Sequence, residues 1–214
     1  MSIQLVSLND VKLFLGMVDA AGNVDTANVT HDLLITQFIK QVSARIETYL
    51  DRLLTKEERT VYFDSGPSIF FLHAYPVDTD ETFTITLNGV EQICATDGID
   101  GDFFLYADEG KIVFPCGTGI ATPQALKVIW TGGYAEIQTA KEEGTEEGTG
   151  VLAVPDDLAR ACIMQSVYDF RRRNDLGLSS VSMPDGSISV AQGPSGLLSE
   201  VRYILNESYR RLVF

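Results

Sequence analysis

Few residues of this chain have the types and spacing that chemistry requires. The segment DGIDGD, over Asp97–Asp102, resembles a calcium loop, but its acids fall at positions 1, 4 and 6. An EF-hand needs oxygen ligands at positions 1, 3 and 5 and a glycine at 6, so an acidic β-turn explains the segment better. His31 and His73 fall in different predicted elements without neighbouring ligands, which argues against a joint metal or acid–base role.

Two glycine motifs also fail as catalytic signatures. The sequence GPSG at Gly193–Gly196 lacks the G-x-S-x-G frame of a nucleophile elbow. The sequence GTG at Gly117–Gly119 has neither a third glycine nor a following helix, so it does not match a dinucleotide fingerprint. We therefore predict that the chain is not an enzyme and needs no cofactor or metal.

The remaining candidates are residues suited to binding a partner. Arg171–Arg173 end a predicted helix, where cations complement the helix dipole. They alternatively form an ion-pair patch for an acidic subunit or partner, and phosphate contact is a third interpretation. The segment Gly177–Gly196 predicts a projecting hairpin or extended arm that becomes ordered on assembly. Its candidate interface residues are Val181, Met183, Ile188 and Val190.

Four helical segments must position these candidates. The apolar periodicity predicts helices over Leu8–Met17, Thr30–Leu54, Pro155–Arg173 and Ser195–Leu212. The second has one continuous stripe that runs from Ile35 to Leu53. The third carries apolar residues on nearly every face, which predicts that another subunit covers part of it.

Between the second and third helices the hydrophobic period changes to that of strands. Short β-branched and aromatic runs fill residues 59–134, and Asn88-Gly89 is a preferred two-residue hairpin turn. The predicted class is α+β, with a helical bundle core of about four helices and an antiparallel β-rich insert. The predicted divisions are core helices at 1–58, the insert at 59–135, an acidic flexible spacer at 136–150 and the C-terminal core helices at 151–214, with the arm at 177–196.

Composition restricts the classes of partner. The chain has 30 acidic and 16 basic residues, a formal net charge of −14. Residues 151–214 are neutral overall, so the excess lies before them. Such a surface disfavours tight nonspecific DNA binding and makes identical subunits repel, which predicts weak self-association of the free protein. Cys94, Cys116 and Cys162 fit free, mostly buried thiols, and no secretory signal or membrane span is predicted.

Several motifs, in their order along the chain, resemble the head–tail connector (adaptor) family of long-tailed bacteriophages. The pattern E-x-Y-L-x-R matches Glu47 to Arg52, and the V-P-D helix start matches Val154–Asp157. HAYPV at His73–Val77, the Asn88-Gly89 hairpin and TGGY at Thr131–Tyr134 resemble longer members that carry a β insert.

This resemblance implies a structural virion protein at the head–tail junction, assembled in the host cytoplasm. Family members form rings, commonly of twelve subunits, beneath the portal protein and dock head-closure or tail proteins. Double-stranded DNA would pass through without sequence-specific binding. A competing hypothesis is a carbohydrate- or protein-binding module that uses the aromatic residues of the insert. Those residues are Phe70, Phe71, Phe103, Phe104 and Tyr106.

Overall fold

The computed structural model describes residues 4–19, 22–25, 29–95, 101–134, 153–173, 180–183, 186–189 and 196–210. This part of the chain is α+β, with four helices and antiparallel sheets, which confirms the predicted class. The helices are α1 (Leu8–Leu15), α2 (Asp32–Leu50), α3 (Asp156–Arg171) and α4 (Ser199–Ser208). The spacer at 136–150 and most of DGIDGD lie outside the described residues.

Two compact units make up the chain. The helical unit includes Met1–Asp51 and Val154–Phe214 and contains all four helices. The strand unit includes Arg52–Glu136 and contains seven strands. These strands are β1 (Glu57–Phe63), β2 (Ile69–Phe71), β3 (Thr84–Leu87), β4 (Val90–Gln92), β5 (Phe104–Tyr106), β6 (Lys111–Val113) and β7 (Leu126–Gly132).

The first helix begins and ends with recognisable caps. The Ser7 hydroxyl accepts from the Asp10 backbone N–H at 3.2 Å, and the Asp10 carboxylate accepts from the Ser7 N–H at 3.2 Å. This reciprocal pair is a capping box with aspartate in the third position, as the sequence predicts. The helix ends at Gly16, whose φ of 76° is the left-handed conformation typical of a C-terminal glycine.

The second helix is four residues shorter than predicted at its C-terminus. It ends at Leu50 because Asp51 adopts a left-handed conformation with φ 50°. Leu53, which the apolar stripe assigned to the helix, instead forms a β-bridge with Ala74 and is 39% exposed. The prediction was wrong here because Leu53 fits the helical spacing although it belongs to the strand unit.

The third helix occupies the centre of the helical unit. It packs against α1, α2 and α4, so three elements of the same chain surround it. Leu158, Ala161, Cys162 and Val167 are buried, and Ile163 and Met164 are half-buried. The chain itself therefore supplies the burial that the all-round apolar pattern requires, and the pattern does not call for another subunit.

The strand unit has two antiparallel sheets whose inner faces contribute to one core. The four-stranded sheet has the order β1-β7-β3-β4, and the three-stranded sheet has the order β2-β6-β5. Asn88 and Gly89 join β3 to β4 with φ values of 51° and 83°, as a type I′ turn requires. Both the seven strand runs and this hairpin agree with the sequence prediction.

A further hairpin lies in the helical unit between α3 and α4. Strands β8 (Ser180–Met183) and β9 (Gly186–Ser189) pair antiparallel. The hairpin interpretation of VSM and SISV is therefore confirmed for these residues. The other residues of the predicted arm, 177–179, 184–185 and 190–195, lie outside the described part of the chain.

The three cysteines are free but differ in environment, contrary to the prediction that most are buried. Cys162 is buried, Cys94 is half-buried and Cys116 is exposed, because Cys116 lies in the turn after β6. Burial raises the pKa of the Cys162 thiol to about 11. No helix among the described residues is long and apolar enough to cross a bilayer.

These environments predict very different thiol reactivities. A disulfide reagent at pH 8 should modify Cys116 rapidly, whereas Cys162 should react only when the helical unit unfolds, because its thiol stays protonated and covered. Absorbance of the released thiolate measures both phases. The variant Cys116→Ser should remove the fast phase, and persistence of that phase at full amplitude would contradict the assignment.

Candidate interaction surfaces

The three arginines at the end of α3 differ in their contacts. Arg173 donates to the Phe170 carbonyl at 2.8 Å, and its guanidinium lies 4.2 Å from the Phe170 ring centroid. Arg172 donates to the Tyr168 hydroxyl at 3.2 Å. Arg171 is exposed and forms no ion pair with the carboxylates of the described residues. Arg173 thus serves the helix end, while the role of Arg171–Arg173 in binding a partner stays a prediction.

The hairpin register places like residues opposite each other. Val181 pairs with Ile188 and Met183 pairs with Gly186. The serines also pair with serines, Ser180 with Ser189 and Ser182 with Ser187. Val190, the fourth apolar candidate of the arm, lies outside the described residues, and the interface role of these positions stays a prediction.

A polar network on α2 and α3 holds the chain where it re-enters the helical unit after the hairpin. Arg45 Nη1 contacts the Asp169 carboxylate at 3.2 Å and the Gly196 carbonyl at 3.3 Å. Gln165 donates to Asp169 at 2.8 Å and accepts from the Leu198 N–H at 2.9 Å. Burial raises the pKa of Asp169, and the hydrogen bond from Gln165 and the Arg45 charge oppose that rise. The network fixes the C-terminal base of the arm.

A second cluster lies in the strand unit around the guanidinium of Arg52. This side chain is buried, and its charge lies 3.6 Å from the Tyr75 ring centroid and 5.3 Å from that of Tyr134. Its Nε donates to the Tyr75 carbonyl at 3.0 Å, as does its Nη2, which also donates to the Tyr134 hydroxyl at 3.1 Å. The aromatic rings and these acceptors stabilise a cation that has no carboxylate in its printed contacts.

The Arg52 cluster joins three of the motifs that carry the family resemblance. Arg52 ends the E-x-Y-L-x-R pattern, Tyr75 belongs to HAYPV and Tyr134 ends TGGY. Their backbones also pair, because the Tyr134 N–H donates to Leu54 at 2.7 Å and the Gly133 N–H to Pro76 at 2.9 Å. The sequence analysis noted the motifs but not that they meet, since they are separated by dozens of residues.

The aromatic residues of the competing module hypothesis do not form one exposed patch. Phe70 and Phe103 are 5% and 1% exposed and belong to the core of the strand unit, which corrects their assignment as surface residues. Strand alternation explains the difference, because neighbouring residues face opposite sides of a sheet. Phe71 and Tyr106 are exposed, and Phe104 is half-buried.

The histidines belong to different units, and their surroundings give no indication of a shared site. His31 precedes α2, and its ring meets the edge of Phe170 at a centroid distance of 5.5 Å. His73 is exposed in the strand unit. Among the described residues, no group of three or more histidine, cysteine or acidic side chains is arranged to hold a metal ion.

Comparison with solved structures identifies a shared fold. A chain in the structure described as the neck of an empty GTA particle computed with C6 symmetry matches with a TM-score of 0.56 and 15% identity, over 98% of this chain and 91% of that one. A chain of the native gene transfer agent (GTA) virion matches with a TM-score of 0.53 and 15% identity, over 100% and 91% of the two chains. No family model and no curated protein matches this sequence.

At this level of identity the likeness establishes the fold. It extends over nearly the whole of both chains and therefore includes the helical and the strand units. The architecture is that of chains in phage-like particles, in agreement with the fold that the connector motifs led us to expect. What the neighbours assemble with is a separate question, taken up next.

Proposed function

We propose that this chain is a structural neck protein of a phage-like particle, acting as a head–tail connector. The observation that carries the proposal is the fold shared over almost the full length with a chain of a GTA particle neck. The connector motifs support it independently, because Arg52, Tyr75 and Tyr134 from three of them converge in one buried cluster. The protein would reside at the head–tail junction of the virion.

In this role, copies of the chain form a ring beneath the portal protein and extend the DNA conduit. The neighbouring neck structure has C6 symmetry, which is compatible with a ring of twelve subunits. A net charge of −14 suits a wall along which DNA slides with few lasting contacts. Head-closure or tail proteins would dock on the opposite side of the ring, and no catalytic step is required of the protein.

Mixing the purified chain with its portal protein tests this proposal. We expect negative-stain images to show an added ring on one end of the portal, since a template offsets repulsion between acidic subunits. A mixture in which the two proteins neither cosediment nor form a stacked ring would contradict the proposed function.

The arm is the segment expected to secure attachment within this complex. Deleting residues 179–192 should leave the midpoint of thermal unfolding nearly unchanged, because a two-stranded hairpin adds little stability of its own. The same deletion should abolish stable attachment to the portal or to a tail-side protein. A control variant, Arg171→Glu with the arm intact, separates the arm from the arginine run. Undiminished attachment of the deletion variant would contradict the role of the arm.

A further inference from the structure

The outer face of the three-stranded sheet is unusually apolar. It lies opposite the face on which Phe70, Ile112 and Leu105 contribute to the core. Ile69, Phe71 and Tyr106 are 46%, 40% and 49% exposed. We call this face the β2-β6-β5 patch; its residues are Ile69, Phe71, Phe104, Tyr106, Lys111 and Val113.

The strand register arranges these six residues in two rows across the sheet. Ile69, Val113 and Phe104 are cross-strand neighbours in the first row. Phe71, Lys111 and Tyr106 form the second row, in which the Lys111 ammonium lies 5.0 Å from the Tyr106 ring centroid. Five apolar or aromatic side chains thus surround a single cation on one continuous surface.

The outer face of the four-stranded sheet provides a contrast within the same unit. Its row through Tyr62 and Lys127 continues to Thr86 and Glu91. The adjacent row places Thr60 and Thr84 on either side of Ile129. This face has the polar composition expected of a solvated sheet, so the apolar β2-β6-β5 patch is not a general property of the strand unit.

Charge indicates what covers the patch. Lys111 has no ion pair with the carboxylates of the described residues. A cation that loses water at an interface needs a carboxylate opposite it. The described residues of the strand unit, 52–95 and 101–134, contain five Lys and Arg but ten Asp and Glu. The acidic surface of another copy of this chain therefore offers the complementary charge.

We propose that the β2-β6-β5 patch binds a second copy of this chain in a head-to-tail contact. A two-fold contact through the same patch would bring two Lys111 ammonium groups onto one dry surface, whereas a head-to-tail contact pairs Lys111 with an acid. Six residues are far fewer than the roughly 20–30 per side of a stable interface, so the contact is weak between free subunits. This inference rests on the proposed ring, in which each copy has two such neighbours.

Photo-crosslinking of the full chain tests the patch directly, because it captures weak contacts. The photoreactive residue p-benzoylphenylalanine replaces Tyr106 in one variant and Tyr62 in the other. Tyr62 is the matched control, since it is 53% exposed and is also a cross-strand neighbour of a lysine, Lys127. Illumination of the concentrated protein should give a covalent dimer from position 106 and little from position 62. Mass spectrometry should locate the attachment outside the β2-β6-β5 patch of the second copy.

A charge reversal adds a second readout to the same experiment. With the photoreactive residue at 106, Lys111→Glu should reduce the dimer yield about tenfold, the factor that corresponds to 1.4 kcal/mol. Lys127→Glu should leave the yield unchanged. Absence of dimer, equal dimer from both positions, attachment patch to patch, or capture of portal protein in place of a second copy would each overturn the proposal.

The outcomes for the patch and for the ring are distinguishable. Rings on the portal whose position 106 never crosslinks to a neighbour would refute the patch and leave the proposed function intact. A dimer through position 106 from a chain that never binds the portal would retain the patch and refute the connector role.

Discussion

Replacing Arg52 by methionine is expected to lower the free energy of unfolding of the strand unit by about 3 kcal/mol. Methionine fills a similar volume but removes the cation between the Tyr75 and Tyr134 rings. It also removes the donors to the Tyr75 carbonyl and the Tyr134 hydroxyl, in a region from which water is excluded. The unsatisfied acceptors account for most of the expected loss.

Denaturant titration followed by tryptophan fluorescence measures this loss without interference from the helical unit. Trp130 is the single tryptophan of the chain and is buried in the core of the strand unit. The matched control is Arg59→Met, because Arg59 is half-buried and its ion-pair partner, Glu57, is largely exposed. The control should cost less than about 1 kcal/mol. Equal losses from the two variants would show that the Arg52 cluster has no special role.

The sequence could predict the features whose physical causes are local. The Asn88-Gly89 turn follows from two residues that tolerate positive φ, and the α1 capping box follows from Ser7 and Asp10. The change from helical to strand periodicity near Thr60 predicted both the strand runs and the antiparallel class. These patterns act over a few residues, so a linear sequence contains them.

Features that depend on distant residues were missed or misjudged. The apolar pattern of α3 was assigned to a subunit contact because the sequence does not show that α1, α2 and α4 all surround it. Phe70 and Phe71 are adjacent aromatic residues, and only the sheet register decides which one is buried. The convergence of Arg52, Tyr75 and Tyr134 likewise depends on the tertiary fold.

The candidate site shows the same division. The sequence predicted the position of Arg171–Arg173 at a helix end, yet the contacts of Arg173 with Phe170 emerge only from the structure. The β2-β6-β5 patch has a faint signal in alternating runs such as IFF and KIV. Its recognition needs the pairing of three strands, because residues from each are required to make the surface continuous.

The TGGY motif makes the second large prediction, because its two glycines lie where the backbone leaves no space. A Cβ at Gly132 would lie 2.5 Å from the Ala74 carbonyl oxygen and 2.9 Å from Trp130 Nε1. These two atoms form a hydrogen bond of 2.9 Å, which an alanine would force apart. A Cβ at Gly133 would lie 2.5 Å from the Thr55 carbonyl oxygen, and φ at Gly133 is +104°.

Three alanine variants separate the steric cost from the conformational cost. Gly117→Ala has only the conformational cost, since φ is +69° and no atom lies within 4 Å of the added Cβ. It should lower the free energy of unfolding by about 1 kcal/mol. Gly132→Ala has only the steric cost, about 3 kcal/mol, and Gly133→Ala combines both for about 4 kcal/mol. Denaturant titrations with Trp130 fluorescence should give this order. A Gly133→Ala variant no less stable than Gly117→Ala would contradict the close approach of β7 to the segment after Arg52, and with it the physical reason for two glycines in the motif.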